Sequence, residues 1–336
     1  PNHFFYHDSD YVRNIPKCQE YGLRQISTLL TKPDNYLELY NMPETNNNKT
    51  TPEHAIKTAY KIMESCELCP RRCKVNRLNN EKGFCGTGAK AVVSSAGPHF
   101  GEESVLVGNG GSGTIFFAGC NLGCVFCQNY DISQLRRGNE VEIEDLVNMI
   151  LQLQGRDCKN INFVTPTHVT PHIIESVHIA RTKGLKIPTV YNCGGYESIE
   201  PLRLLAGTID IYMPDAKYLN PPSSEKYSFA RNYPEIMKSA LQEMHRQVGD
   251  LEIEDGVASR GLLVRHLVMP ENVAGSLDII DFLANEISNN TFVNIMEQYR
   301  PTFKARDFPE INRPITHKEF NTVYEYAKEL GLRLAD

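Results

Sequence analysis

The chain reads as an α/β protein with a largely parallel sheet, and three observations carry that reading. Six apolar runs of strand length recur between residue 114 and residue 296. Helical patterns, with apolar residues three and four apart, alternate with them. Polar clusters stand where the runs end, as they do where loops leave parallel strands. Six strand–helix units are too few to close an eight-stranded barrel.

Taken in order, residues 1–50 are rich in Tyr and Asn and end in the polar tract Glu44–Thr50, which reads as a peripheral, partly irregular extension. Thr51-Pro52-Glu53 opens a helix, with a capping hydroxyl and a proline in the first turn, running through Ala55, Ala59 and Ile62 towards Cys66. Residues 1–65 are therefore expected to form an N-terminal extension, 66–110 a cysteine-rich metal-binding segment and 111–336 the barrel. The glycine-rich stretch Gly97–Gly113 lacks the Lys-Ser/Thr of a phosphate loop and reads as the approach to the first barrel strand.

The expected strands are Thr114–Ala118, Ile161–Thr165, Lys186–Tyr191, Ile209–Met213, Leu262–Met269 and Phe292–Met296. The helices between and after them are marked by Ile143/Leu146/Val147/Ile150, Ile173/Val177/Ala180, Leu277/Ile280/Ala284/Ile287 and Phe320/Val323/Ala327/Leu330. The long segment Asn220–Arg260 between the fourth and fifth strands reads either as a solvated helix or as an insertion that shapes a binding site.

A net charge of −6 shows no basic stripe, so no nucleic-acid partner is expected. The uncharged stretch Ser104–Tyr130 is long enough to cross a bilayer, but glycines, asparagines and cysteines break it throughout, so no membrane span is expected. The ten cysteines gather at short spacings, which favours metal ligands in a reducing compartment over disulfides. The opening residues lack a basic region followed by an apolar core, so a cytoplasmic location is expected.

Cys120, Cys124 and Cys127 stand at C-x3-C-x2-C spacing straight after the first strand. Three thiolates on such a loop reach three irons of one 4Fe–4S cube and leave the fourth iron open. Gly119 and Gly123 let the backbone wrap closely, and Phe126 can shield one side from water. The alternatives are a zinc site or buried thiols, although zinc prefers four protein ligands and no fourth cysteine or histidine lies nearby. A second group, Cys66, Cys69, Cys73 and Cys85, has the spacing of a four-thiolate site and suits either structural zinc or an auxiliary iron–sulfur cluster.

"CNLGCVFC" resembles the signature of the radical S-adenosylmethionine (SAM) enzymes, C-x3-C-x-aromatic-C. The resemblance implies a partial (β/α)6 barrel of the TIM type, a 4Fe–4S cluster whose open iron binds SAM, and reductive cleavage of SAM to a 5′-deoxyadenosyl radical that abstracts a hydrogen atom. "MPDAK" resembles the D-x-K element of pyruvate formate-lyase activating enzyme, which implies that Asp215 and Lys217 hold SAM. Arg265 in "LLVRHLVMP" matches that family's strand arginine, and "YNCGGY" resembles its N-T-x-G-Y/F element, placing Asn192 and Gly195 near the cofactor. With "CELCPRRCKVNR", "NFVTPTH" and "EMHRQVGDL", the pattern is closest to pyruvate formate-lyase activating enzyme-like proteins, over roughly Cys66 to the C-terminus. Where most members carry Gly-Gly-Glu after the second strand, this chain has Thr165-Pro166-Thr167-His168 and offers no carboxylate there. His168 is read as either a substrate-facing acid/base group titrating near neutrality or a histidine hydrogen-bonded for structure. Cys193 reads as a packed thiol rather than a radical relay, and Cys18 and Cys158 as plain thiols.

The function expected is hydrogen abstraction from a protein or peptide, in the manner of enzymes that activate glycyl radical proteins, with an electron donor such as flavodoxin or ferredoxin. Two alternatives stand beside it. One is radical SAM catalysis on an unrelated peptide or small metabolite, and the other is a non-enzymatic iron–sulfur protein for electron transfer or scaffolding.

Overall fold

The computed structural model describes residues 51–335, so the expected extension over 1–50, with Cys18, lies outside the described residues. The strands are β1 (Ala91–His99), β2 (Ser112–Phe117), β3 (Asn139–Val141), β4 (Ile161–Val164), β5 (Thr189–Cys193), β6 (Ile211–Pro214), β7 (Glu252–Glu254), β8 (Val257–Leu267), β9 (Phe292–Met296) and β10 (Arg333–Leu334). They lie in the order β10-β9-β8-β6-β5-β4-β2-β1-β3, with β7 beside β8. Pairing is parallel from β2 through to β10 and antiparallel where β1 joins β2 and β3 and where β7 joins β8. The six expected strand regions supply β2, β4, β5, β6, β8 and β9. β9 does not pair with β2, so the barrel is left open on one side.

The helices are α1 (Pro52–Ile62), α2 (Ser104–Val107), α3 (Tyr130–Ser133), α4 (Ile143–Gly155), α5 (Thr170–Thr182), α6 (Ile199–Leu204), α7 (Pro221–Ser228), α8 (Tyr233–Val248), α9 (Ser276–Phe282) and α10 (His317–Glu329). Strand alternation sorts the core into two faces. Phe163, Tyr191, Tyr212 and Val264 share one core with helix residues such as Val147, Ile173, Val177, Leu202 and Ala240. Their neighbours Val190, Ile211, Met213 and Leu263 form a second, inner cluster around Leu106 of α2. Asn160 Nδ2 donates to the Leu106 carbonyl at 2.8 Å, so the β1–β2 loop is anchored inside the curve of the sheet. Each fully buried apolar side chain contributes about 1.5–3 kcal/mol, and the two clusters hold the strand ends in place.

Strand limits shift by up to five residues from those expected, most at the start of β8, and one shift has a plain cause. The third strand begins at Thr189 rather than Lys186, because Pro188 has no N–H for the ladder and its carbonyl instead accepts from Ile161 at 2.9 Å. β1 pairs with β2 from Val93 to His99, so the two belong to one sheet. β1 was illegible because its apolar run ends at Val93 and continues as Ser-Ser-Ala-Gly-Pro; cross-strand pairing with β2, not propensity, makes it a strand.

The rest of the described N-terminal region docks by specific contacts. α1 carries the expected Thr51 cap and packs on α5, where Tyr60 Oη donates to Glu175 Oε2 at 2.6 Å. Arg77 is 1 % exposed; its Nε and Nη2 donate to the Gly88 carbonyl at 3.1 and 3.0 Å, and its Nη1 to the His168 carbonyl at 2.6 Å. This guanidinium ties the cysteine-rich segment to the loop after β4. Replacing Arg77 with Ala leaves buried carbonyls without donors, and should lower unfolding stability by roughly 2–4 kcal/mol. A denaturation midpoint equal to that of the wild type would contradict the anchoring role.

Candidate active site

The loop from Gly119 to Asn129 leaves the C-terminal end of β2, the position from which parallel strands present their functional loops. Gly119 has φ +89°, and a methyl group there would come within 2.6 Å of the Cys85 carbonyl oxygen. Glycine is therefore required for the loop to lie against the second cysteine group. Cys120 Sγ accepts from the Leu122 N–H at 3.3 Å, Cys124 Sγ lies 3.0 Å from Ser228 Oγ, and Cys127 Sγ lies 3.1 Å from Ser133 Oγ. Burial, then the neighbouring Cys124, pushes the thiols of Cys120 and Cys127 upward, while Lys217 pulls both down. They are thus neutral without metal, and metal binding would displace their protons.

Among the described residues, no three His, Cys, Asp or Glu side chains converge as they would on a single ion. Three thiols on one short loop are the donor set that a cube with one open iron takes. In the second group, Cys66, Cys69 and Cys85 are buried and Cys73 half-buried. Burial raises the Cys69 thiol, and the charges of Cys85, Cys66 and Cys73 add to the rise.

The two groups are interlocked. Arg71, two residues after Cys69, donates to the carbonyls of Asn121 (2.9 Å), Ser228 (3.2 Å) and Phe229. Its guanidinium stacks 3.9 Å over the Phe84 ring. The insertion after β6 also reaches the loop: the Tyr227 carbonyl accepts from Val125 N–H at 2.9 Å. Phe126 is buried against Tyr299 and Tyr218, with ring centroids 5.9 and 6.5 Å away.

The sequence-predicted polar residues come together at the strand ends. Asp215 Oδ2 accepts from Lys217 Nζ at 2.6 Å and its Oδ1 from Arg265 Nε at 3.1 Å, while Arg265 Nη2 donates to Asn192 Oδ1 at 2.6 Å. Burial alone would raise Asp215, but Lys217 and Arg265 hold its carboxyl below the usual range. Lys217 is raised by Asp215 and then Cys124, against burial, which ties this network electrostatically to the cysteine loop. Gly195 (φ +74°) acts through its backbone: a methyl group would meet the Asp215 carbonyl oxygen at 2.3 Å. Tyr233 of α8 donates to the carbonyls of Gly194 (2.9 Å) and Asp215 (2.8 Å) and accepts from the Lys217 N–H at 3.0 Å.

His168 is the residue for which the sequence left two readings open. It is 1 % exposed, its Nε2 donates to the Ala118 carbonyl at 2.9 Å, and burial with the nearby Arg77 pushes its pKa down to about 3. Held this way, the ring braces the end of β2. A carboxylate reaches the loop after β4 from its neighbour. Glu197, from the loop after β5, accepts from Thr167 Oγ1 at 2.7 Å and from Tyr191 Oη at 3.2 Å. Thr165 beside it has φ +59°, a costly conformation for a β-branched residue that marks functional turns. Cys193 is a buried thiol within reach of Glu197, and Cys158 is also buried. Sequence reasoning missed Glu197 as a partner of Thr167 because they are 30 residues apart; only the parallel pairing of β4 and β5 joins them.

Burial pushes Glu197 up to about 7, although Thr167 and Tyr191 donate to it. A carboxyl raised above its unfolded value near 4.5 contributes stability that is present below that value and lost as pH rises through 7. Glu197→Gln should therefore melt closer to the wild type at pH 5 than at pH 8, gaining a few degrees on it over that interval. A melting difference that stays constant with pH would show that Glu197 is ionised throughout.

The model for the radical SAM superfamily matches residues 114–283. Over 286 residues the chain is 35 % identical to the uncharacterized protein MJ0674 of Methanocaldococcus jannaschii, covering 83 % of this chain and 79 % of that one. It is 25 % identical over 274 residues to MJ0808 of the same organism, covering 73 % of each. Among solved structures, it superposes at TM-score 0.43 and 12 % identity on Streptococcus suis SuiB bound to the precursor peptide SuiA, covering 64 % of this chain and 46 % of that one. It superposes equally, at 0.43 and 12 %, on HydG, a maturase of the [FeFe]-hydrogenase, covering 89 % and 57 %. The chain thus spans about half the length of these solved proteins. The cysteine loop on the first parallel strand lies within the matched region, as do Asp215, Lys217 and Arg265, and this chain belongs to the radical SAM superfamily.

Proposed function

We propose that the protein cleaves SAM reductively at Cys120, Cys124 and Cys127 and uses the product to take a hydrogen atom from a protein or peptide, in the manner of glycyl-radical-activating enzymes. One observation carries the reading: three thiols on the β2 loop face a buried Asp215–Lys217–Arg265–Asn192 network on three neighbouring strand ends. When bound there, a 4Fe–4S cluster would supply one-electron reduction of SAM. Cys120, Cys124 and Cys127 would hold the cluster. Lys217, beside Cys124, offers an ammonium for the SAM carboxylate, and Asp215 and Asn192 offer acceptors for its hydroxyl and amino groups. Phe126, Tyr218 and Tyr299 exclude water from one side of the loop. The activating-enzyme reading of the substrate rests on the D-x-K, strand-arginine and "YNCGGY" elements.

Two further parts belong to this reading. Cys66, Cys69, Cys73 and Cys85 hold a second metal centre, zinc or an auxiliary cluster. An electron donor of the flavodoxin or ferredoxin type approaches from the side of Phe84 and Phe229, which are 40 % and 56 % exposed and flank Gly123 beside the Arg71 cation. The reaction is placed in the cytoplasm, where both thiol groups stay reduced.

The test is anaerobic reconstitution with iron and sulfide, then SAM and dithionite, scoring 5′-deoxyadenosine and methionine. Both products should appear with the wild type and vanish when Cys120, Cys124 and Cys127 are all alanine. Lys217→Ala should raise the SAM KM about tenfold, the loss of one charge-assisted contact. An intact, reducible cluster that never cleaves SAM would defeat the reading. Adding a peptide from the C-terminal glycine region of a glycyl radical protein should yield a carbon-centred radical by electron paramagnetic resonance. SAM cleavage without that signal would remove the glycyl substrate and leave the cleavage chemistry standing.

A further inference from the structure

A cavity of about 500 Å³ lies between the β1–β2 loop and strands β8 and β9, on the side where the barrel is open. Glu102, Glu103, Arg265, Asn294 and Gln298 form its polar wall, with Met296 among its apolar groups. Its size suits a side chain or a small metabolite. Glu103 is 9 % exposed; its Oε1 accepts from Asn294 Nδ2 at 2.8 Å, but its buried Oε2 has no donor. Glu102 is half-buried as a residue, but its side chain is largely enclosed, with Oε2 3.5 Å from Arg265 Nη1. Arg265 is already engaged by Asp215 and Asn192, so one shared guanidinium faces three carboxyls. Burial pushes Glu102 up to about 7 against the pull of Arg265, with Glu103 and Asp215 adding to the rise. Arg265 is the cation these two adjacent carboxyls share, and Asp215 already engages it. An acceptor-only oxygen buried in a cavity wall is costly unless a donor arrives from outside the chain.

We propose that this cavity is a substrate subsite for a protonated nitrogen group, a primary ammonium or guanidinium, seated on Glu102 and Glu103 with Asn294 and Gln298 beside it. The subsite rests on the SAM reading in one respect: Arg265 belongs to both walls, so the seated group lies next to the cofactor cradle. The same chemistry fits a free amine or a basic side chain of a peptide, and the experiment separates the two.

Calorimetric titration of the anaerobically reconstituted protein would use agmatine, glycyl-arginyl-glycine and its neutral citrulline counterpart. At least one cationic probe should bind, the citrulline peptide at least tenfold more weakly, and Glu103→Gln should weaken the cation at least tenfold. Tighter binding of agmatine than of the peptide assigns a free amine, and the reverse assigns a basic side chain. Should Glu103→Gln melt early, Glu102→Gln carries the test and should weaken the cation severalfold. Equal binding of the citrulline peptide, no heat from either cation, or displacement of the cation by saturating SAM would each overturn the subsite. Cation binding in a protein that fails to cleave SAM would sustain the subsite and remove only the radical reading.

Discussion

One buried carboxylate organises this end of the molecule. Asp215 sits at the tip of β6 with Lys217 on one oxygen and Arg265 of β8 on the other, and Arg265 extends to Asn192 of β5. A lone ionised carboxyl in such a place would be expelled or protonated. Two cations keep it charged, and in doing so they fix the relative height of three strand ends. The loop after β5 is then pressed onto Asp215 through Gly195, and Tyr233 clamps the backbone of both loops. The mouth of the barrel is therefore rigid where a cofactor must be positioned, and that rigidity comes from charge pairing rather than from the apolar clusters beneath.

The cysteine loop is held differently. Its backbone is tied to residues distant in sequence, to Ser228 and Tyr227 after β6 and to Arg71 in the cysteine-rich segment. Its thiols face hydroxyl groups of Ser228 and Ser133. The sulfur atoms of the loop thus rest on neutral, adjustable partners while the polar network beside them is locked. This suits a site whose thiols must lose protons on loading without disturbing their neighbours.

Much of this was legible in the chain alone. The six parallel strands follow from the recurrence of apolar runs, the cysteine loop from its spacing, and Asp215, Lys217 and Arg265 from the resemblance of their segments to activating-enzyme elements. What escaped depended on pairing across the sheet. β1 has weak strand character and exists because β2 is next to it. Glu197 meets Thr167 only because β4 and β5 are parallel neighbours, and Glu103 meets Asn294 across 191 residues. At His168 the chain alone left two readings open, and only the fold shows the ring buried beside the Arg77 cation with its Nε2 on the Ala118 carbonyl. Local sequence carries residue type and spacing; it does not carry burial.

The contact between Gly119 and the Cys85 carbonyl has a consequence for how this architecture can be taken apart. The two thiol groups share a seam with room for hydrogen alone on one side and a backbone oxygen on the other. Arg71 crosses the same seam to three carbonyls. A shortened protein starting at the first parallel strand would keep every residue of the cysteine loop, yet lose the surface that loop was shaped on. The cysteine-rich segment is thus less an accessory joined to a self-sufficient barrel than the mould in which the barrel's reactive loop is cast.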